Sequence, residues 1–292
     1  MRTSSFSSGR PSVPCRSASP SSTAPRPSPV SGPRVLARIG RAIRSHASFV
    51  LLLASLGAGV VLDGMRPATW RRTVRGEFRR ALRQAVGGGL STTLVTAALI
   101  GLVMVSQALY WLGQAGQEGL IGPILVTVLV REVAPVLVGL IVMGRSGVVI
   151  VSEIGGLQFG GQVHALAAQG LDPFLLLVLP RAAALAIACF TLGIVFVVAA
   201  LMTGFIAGSL VGAVHTPIGS FLERVLLAMH AEDFAVFPAK MIVIGLLVAL
   251  TACLTGLTAS AQDDAARLLP RGFVRGVVAI FLLASIALSL GA

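Results

Sequence analysis

The candidates for chemistry are five charged side chains in or beside two long apolar runs. Arg131 and Glu132 are adjacent in one run, Arg145 and Glu153 follow towards its end, and Lys240, the only lysine, lies near the start of a later run. A charge inside a membrane span costs about 2.5–3.5 kcal/mol on insertion scales, so it indicates a binding or pairing function. Glu132 and Lys240 lie at similar depths of their runs, so they are predicted to meet inside the helix bundle. Two interpretations stay open: a polar patch that contacts a lipid headgroup, or an internal salt bridge that fixes helix register.

A short serine motif raises the possibility of enzymatic chemistry. Residues 144–147 read GRSG, and a serine hydrolase within the membrane needs a histidine at hydrogen-bond distance from its serine. His164, His215 and His230 all lie in predicted loops, outside the apolar runs. The sequence therefore favours a helix-packing function for Ser146 and predicts no catalytic residue.

Nucleotide and metal chemistry are also not predicted. A P-loop requires Gly-Lys followed by Ser or Thr, whereas Lys240 follows Ala239 in an apolar run. The four histidines and three cysteines form no metal-binding motif. We therefore expect no metal and no cofactor in this chain, and nucleotide-driven work would fall to a partner.

Membrane helices must position these residues. The chain has 292 residues, of which 55% are hydrophobic and only 12% charged, with 33 glycines in addition. One soluble core of this length cannot bury so many apolar side chains. Lipid must solvate much of the chain, which argues against a soluble enzyme, a nucleic-acid-binding module and a disordered chain.

The apolar runs predict an all-α polytopic membrane protein with its spans in residues 85–292. Five runs are long enough to cross a bilayer: Val86–Leu112, Ile121–Val151, Ala182–Val214, Phe237–Ala261 and Phe273–Leu290. A shorter run of 14 residues, Phe49–Leu62, predicts an interfacial helix within a basic region, 35–84. Residues 1–34 are rich in Ser, Pro and Arg and predict a disordered tail.

The net charge is +12, and the position of the basic residues along the chain predicts the orientation in the membrane. Fifteen of the 23 basic residues precede residue 84, where Asp63 and Glu77 are the only acids. A basic flank is typical of the cytoplasmic side, so five spans place the C-terminus outside, and nucleic acid is not needed as a partner. The location expected is the bacterial inner membrane. The tail also has the composition of an organellar transit peptide, so an organellar envelope is the second candidate.

Small residues predict where the spans pack. Gly204, Gly208 and Gly212 form a GxxxGxxxG face, and Ala97 with Gly101 forms a small-xxx-small pair. Such spacing lets helix backbones approach closely in lipid.

The region 129–181 resembles the signature of the MlaE/YrbE permease family of lipid-transporting ABC systems. The matching residues are, in order, Arg131, Glu132, Pro135, Val136, Leu140, Gly144, Arg145, Gly147, Glu153, Ile154, Gly155, Asp172, Pro173, Pro180 and Arg181. A weaker similarity extends over residues 35–291.

The resemblance implies a homodimeric permease with an elbow helix and five transmembrane helices in each subunit. It implies two ABC ATPase subunits, which would hold ATP and Mg²⁺, and MCE-domain lipid-binding proteins as further partners. Arg131, Glu132 and Lys240 would face a lipid cavity. The segment Gly155–Arg181 would contain a coupling helix that docks on the ATPase.

The coupling segment departs from the family pattern. Gly160-Gly161-Gln162 stands where relatives typically carry Thr-Glu-Gln, and adjacent glycines disfavour a helix. The coupling helix is therefore expected to start near Gln162. The predicted coupling contacts are Gln162, His164, Leu166 and Asp172, and structural functions fall to Pro135, Gly144, Arg145, Gly147, Glu153, Gly155, Pro173 and Arg181.

The function expected from these features is movement of phospholipid or a related lipid into or out of the membrane, powered by a separate ATPase. The alternative is a membrane scaffold or channel subunit whose internal charges are purely structural. The lipid species and the direction of transport stay open.

Overall fold

A computed structural model describes residues 51–64, 66, 69–70, 72–170, 172–210, 217–259 and 265–291. Within these ranges the chain forms helices joined by short turns and contains no strand. The helices are α1 Leu51–Gly64, α2 Arg72–Gln114, α3 Ile121–Phe159, α4 Gln162–Ala168, α5 Phe174–Leu210, α6 Ile218–Ala228, α7 Asp233–Leu257 and α8 Ala265–Gly291. The predicted tail, Gly212 and His215 lie outside the described residues.

The five predicted spans are confirmed as α2, α3, α5, α7 and the central part of α8, which are long and apolar enough to cross a membrane. The shorter apolar run is also helical, as α1. The structure therefore confirms the all-α fold with five long apolar helices preceded by a shorter one.

The first span begins earlier than its apolar run. Helix α2 starts at Arg72, so the polar residues 72–84 and the apolar run form one helix. Val74 and Ala85 are buried, and Phe78 and Leu82 are partly buried between them at helical spacing. These residues pack one face of α2 against the other helices, and no proline interrupts the helix. The helix therefore begins before the apolar run, with arginines on its exposed faces.

Helices α2 and α5 approach each other at the predicted small residues. A Cβ on Gly204 would lie 2.6 Å from the carbonyl oxygen of Gly101, and a Cβ on Gly101 would lie 2.9 Å from the carbonyl carbon of Ala200. Ala97 and Gly208 are buried as well. The GxxxG face of α5 and the Ala97/Gly101 pair of α2 therefore belong to the same helix interface.

The short helix α1 packs against the long helices. Val60 is buried, a Cβ on Gly59 would touch Phe174, and one on Gly57 would touch Leu250. After α1, the indole Nε1 of Trp70 donates to the carbonyl of Gly64 at 2.9 Å. These contacts hold α1 on the helices that carry the candidate site.

Helix α3 carries the charged residues and is not a regular α-helix. It contains π-helical stretches at Val126–Val133 and Met143–Gly147. The first stretch contains Arg131 and Glu132, and the second contains Arg145. π-helical turns recur at functional positions of helices, and here they contain three of the charged residues of α3.

Candidate functional site

Four charged side chains of α3 and α7 meet in one network, which we call the Lys240 cluster: Arg131, Glu132, Asp233 and Lys240. Lys240 Nζ donates to Glu132 Oε1 at 3.0 Å and to the backbone carbonyl of Arg131 at 2.6 Å. The Lys240 side chain is only 8% exposed, whereas Glu132 is 33% exposed. The lysine is thus held inside the helix pair and the carboxylate faces outwards.

Arg131 binds the other helix through Asp233. Its Nη2 donates to Asp233 Oδ2 at 2.8 Å, and its Nε lies 2.7 Å from Oδ1 without the alignment of a hydrogen bond. The backbone N–H of His230 also donates to Asp233 Oδ2 at 3.0 Å. Asp233 is 6% exposed and Arg131 is 40% exposed. Each buried charge is therefore paired with a partner that reaches the surface.

Sequence reasoning brought Glu132 and Lys240 together but missed Asp233. The predicted apolar run begins at Phe237 and leaves Asp233 outside it, whereas Asp233 is the first residue of α7. An acid at the start of a helix is favoured by the helix dipole, and this was the available signal. The network confirms that the two helices meet at these charges; their predicted contact with lipid stays a prediction.

An apolar groove opens beside Glu132. It has a volume of about 380 Å³ and lies between α3 and α8. Its lining residues are Glu132, Val133, Val136, Leu137, Phe281, Ala284 and Ser285. The Glu132 carboxylate is thus the charged group of an otherwise apolar surface, and the arrangement suits a molecule with a polar head and an apolar tail.

A second charged pair lies at the opposite end of α3. Arg181 Nη2 donates to Glu153 Oε2 at 3.1 Å, and Nη1 donates to the carbonyl of Leu177 at 3.1 Å. Glu153 follows Glu132 by 21 residues, or roughly 30 Å of helix, which is about the thickness of a hydrocarbon core. We call the positions of Glu132 and Glu153 along α3 the two charged levels. Their separation fits the two boundaries of a bilayer.

Arg145 lies between these levels and contacts α2. Its Nη1 donates to Thr92 Oγ1 at 2.7 Å, and a Cβ on Gly88 would lie 3.7 Å from Nη2. Eight residues, about 12 Å of helix, separate it from Glu153. The hydroxyl of buried Thr93 next to Thr92 has no hydrogen-bond partner within the described part of the chain. The sequence placed Arg145 among the structural residues but gave no sign of its partner.

The proposed coupling segment, Gly155–Arg181, contains the short helix α4. Gly161 has a φ of 68°, which a glycine adopts without strain, and α4 begins at the next residue, Gln162, as expected. Gln162 and His164 are exposed and Leu166 is partly buried. Asp172 Oδ1 instead accepts a hydrogen bond from the backbone N–H of Phe174 at 3.0 Å at the start of α5. The contacts of these residues with an ATPase stay predictions.

Most of the small motif residues lie at close contacts. A Cβ on Gly147 would lie 2.6 Å from Met143 Sδ, and one on Gly155 would lie 2.8 Å from Leu268 Cδ2. Pro135 is buried, Pro173 precedes the π-helical start of α5, and Gly144 is exposed. Among the described residues, no group of His, Cys, Asp or Glu has the arrangement of a metal site.

Five long apolar helices, two of which pair their charges in the Lys240 cluster, define an integral membrane protein. Residues 78–290 match the family model described as Permease MlaE, and the chain belongs to that family. This match confirms the resemblance seen in region 129–181. The family is one of permeases, which agrees with the prediction of a transport subunit rather than an enzyme.

Several curated sequences are similar to the chain. A probable ABC transporter permease protein of Synechocystis is 30% identical over 58% of this chain and 64% of its own length. A probable ABC transporter permease protein of Porphyra purpurea is 28% identical over 59% of this chain and 65% of its own length. The chloroplastic protein trigalactosyldiacylglycerol 1 of Arabidopsis thaliana is 26% identical over 65% of this chain and 52% of its own length. The chain thus spans less than two thirds of each relative.

Proposed function

We propose that this protein is the membrane subunit of an ABC-type lipid transporter and moves a phospholipid or related lipid. The observation that carries the proposal is the apolar groove beside Glu132, next to the ion pair with Lys240. A lipid needs a polar contact for its headgroup and an apolar surface for its acyl chains. The groove and the cluster supply the two side by side.

The Lys240 cluster supplies contacts of both signs for a headgroup. Arg131 and Glu132 are the partly exposed members, while Asp233 and Lys240 hold them from inside. A guanidinium group binds phosphate through paired hydrogen bonds. A headgroup phosphate would therefore contact Arg131, and Glu132 would position the head at the mouth of the groove. Acyl chains would lie against Val136, Leu137 and Phe281.

Power would come from a separate ATPase that contacts α4. This exposed helix follows α3 and precedes α5 in the chain, and the Glu153–Arg181 ion pair joins those two helices. A displacement of α4 would therefore move both long helices together. We include a homodimer, an MCE-domain partner and the bacterial inner membrane in the proposal, on the resemblance to the permease family.

Lipid as the substrate class has independent support from a relative's name. The Arabidopsis relative is named after trigalactosyldiacylglycerol, which is a glycerolipid. The Synechocystis and Porphyra relatives are named as probable ABC transporter permeases without a substrate.

The second candidate is a scaffold or channel subunit with structural charges. Its support is that Lys240 and Asp233, the buried members of the cluster, are fully paired within the chain. Such a network can fix the register of α3 and α7 without any ligand.

Substitution of Lys240 by alanine separates the two candidates. In the reconstituted complex with its ATPase, Lys240→Ala removes the partner of Glu132, and lipid transport should fall at least about tenfold because a charge-assisted contact is worth about 1.5–3 kcal/mol. Size-exclusion chromatography should show an unchanged assembly. Loss of assembly without a lipid-specific defect would favour the scaffold.

A groove-filling variant tests the acyl-chain surface. Ser285→Trp places an indole in the groove and should reduce both the co-purified lipid measured by mass spectrometry and the transport rate. Ile286→Trp is the matched control, since Ile286 is exposed on α8 but does not line the groove. Equal loss in both variants would contradict a lipid function for this groove.

A further inference from the structure

A cavity of about 300 Å³ lies at the end of the long helices opposite the Lys240 cluster. It is open on one side and is lined by α2, α3 and α5. Its lining residues are Glu77, Arg80, Ala81, Gln84, Glu153, Leu157 and Arg181. We call it the Arg181 cavity. Two carboxylates and two guanidinium groups line it, so its formal net charge is zero.

Among the described residues, two of the four charged side chains of this cavity form an ion pair and the other two do not. Arg181 is held by Glu153 and by the carbonyl of Leu177. Glu77 and Arg80 are exposed, lie one turn apart on α2, and form no ion pair with any described residue. Their positions differ by about 4.5 Å along the helix axis. Within the described part of the chain, an acid and a base without ion-pair partners thus lie next to the Glu153–Arg181 ion pair.

We propose that the Arg181 cavity binds the headgroup of a zwitterionic phospholipid that carries a phosphate and a primary ammonium group. Arg80 and Arg181 bind the phosphate, since guanidinium is the preferred partner of phosphate oxygens. Glu77 and Glu153 accept hydrogen bonds from the ammonium group, which has three donors. The occupant comes from the leaflet at this end of the helices.

The charges of the cavity favour a zwitterion over a simple ion. A headgroup with phosphate alone would satisfy the arginines but would place its charge near two carboxylates. A cationic ligand would meet the reverse conflict. A zwitterion pairs with all four groups and leaves no like charges in contact.

The position of the cavity suits a lipid in the bilayer. The Arg181 cavity and the Lys240 cluster lie at the two charged levels, separated by roughly 30 Å, so the cavity is at headgroup depth. Gln84 lines the cavity, and the apolar part of α2 begins directly after it, with Val86 and Leu90. Acyl chains can therefore follow the apolar helix surface. This inference does not depend on transport or on the proposed function.

Photo-crosslinking with lipids of defined headgroup tests the inference. The full chain in nanodiscs is exposed to phosphatidylethanolamine or phosphatidylglycerol, each with a diazirine near the glycerol, and adducts are mapped by mass spectrometry. We expect adducts in residues 76–84 and 149–159, with about tenfold more from phosphatidylethanolamine, since its ammonium group adds a charge-assisted contact that phosphatidylglycerol cannot make. Equal yields from the two lipids at these residues would overturn the proposal.

Two variants separate the two contacts. Glu77→Gln removes one ammonium contact and should reduce only the phosphatidylethanolamine adducts, which brings the ratio of the two lipids close to one. Arg80→Gln should reduce both lipids. The control Arg75→Gln removes an exposed arginine of α2 that does not line the cavity and should leave the ratio unchanged. A Glu77→Gln variant that loses both lipids equally would refute the ammonium contact.

The outcome is independent of the Lys240 cluster. Lys240→Ala should leave the adducts at residues 76–84 and their lipid ratio unchanged, even where transport is lost. If transport survives Lys240→Ala and the lipid ratio at the cavity equals the wild-type ratio, the proposed function is wrong and the proposed lipid site is supported. If the cavity variants lose ATPase binding while the lipid ratio stays at the wild-type value, the cavity is a protein contact and the lipid proposal fails.

Discussion

Asp233 shows how a buried charge can determine which side chains reach the surface. The carboxylate is 6% exposed and accepts hydrogen bonds from Arg131 and from the backbone of His230. It therefore holds the guanidinium at the edge of the network, where 40% of that side chain is exposed. Lys240 does the same for Glu132. In each pair the inner residue fixes the residue that is available to a ligand.

Removal of the Asp233 charge should weaken the contact between α3 and α7. Asp233→Asn keeps the shape but leaves Arg131 without its counterion, and we expect a destabilisation of about 1–3 kcal/mol, reduced from the fully buried case because Arg131 is half exposed. Thermal unfolding in detergent measures it. The double variant with Arg131→Gln should cost less than the sum of the single variants. Strict additivity would show that the two side chains do not interact in the folded protein.

The sequence predicted one ion pair of this network and not the other, for a physical reason. Lys240 and Glu132 stood out because charges in apolar runs are expensive, and their similar depth predicted a contact. Asp233 lies just outside its apolar run, where a charged side chain costs little free energy and therefore does not indicate a partner. Thr92, the partner of Arg145, is a common residue in membrane helices and carries no signal of its own. Contacts of this kind depend on helix packing, which periodicity does not specify.

Helix α2 is held on α5 by backbone contact where side chains are absent. Gly101 and Gly204 face each other with no room for a methyl group. The sequence identified both small-residue faces, but nothing in their spacing showed that they pack on each other. The extension of α2 back to Arg72 was also not predicted, because its apolar residues are too sparse to form a continuous run.

An alanine at the α2–α5 crossing should disturb the packing. Gly204→Ala adds a methyl group 2.6 Å from the carbonyl oxygen of Gly101, so the helices must separate, at a cost of about 1–3 kcal/mol. A lower midpoint of thermal unfolding is the expected result. Gly87→Ala is the control, since a Cβ at that position of α2 meets nothing within 4 Å. A control as unstable as Gly204→Ala would mean that helix geometry and not the crossing is responsible.

The start of α4 depends on the left-handed conformation of Gly161. Gly161→Ala places a side chain at a φ of 68° and should cost about 1 kcal/mol or unwind the first turn, which carries Gln162 and His164. Under the proposed function, stimulation of the ATPase by the permease should fall while lipid binding persists. Gly156→Ala, in open space within α3, should retain full coupling. Undiminished coupling in Gly161→Ala would argue that the ATPase does not contact this turn.

The basic residues and the aromatic residues of α2 predict the same orientation of the molecule in a bilayer. The Glu153–Arg181 level carries the neighbouring arginines of α2, whereas Tyr110 and Trp111 lie exposed near the other end of that helix. Aromatic side chains of this kind favour the membrane–water interface, and basic residues favour the cytoplasmic side. The two markers predict that α2 runs from the cytoplasm outwards and that the four later spans alternate in direction.

Cysteine accessibility tests this orientation, because an odd number of crossings places the last helix end on the side opposite the first. Cys189 and Cys253 are buried and should not react, so with Cys15 replaced by serine the chain has no background labelling. In intact cells a membrane-impermeant maleimide should label Gln117→Cys, between α2 and α3, and Ser289→Cys near the end of α8. Gln169→Cys, between α4 and α5, should react only after permeabilisation. If Ser289→Cys is instead protected together with Gln169→Cys, one apolar helix does not cross, and the Lys240 cluster and the Arg181 cavity cannot both lie at the boundaries assigned to them.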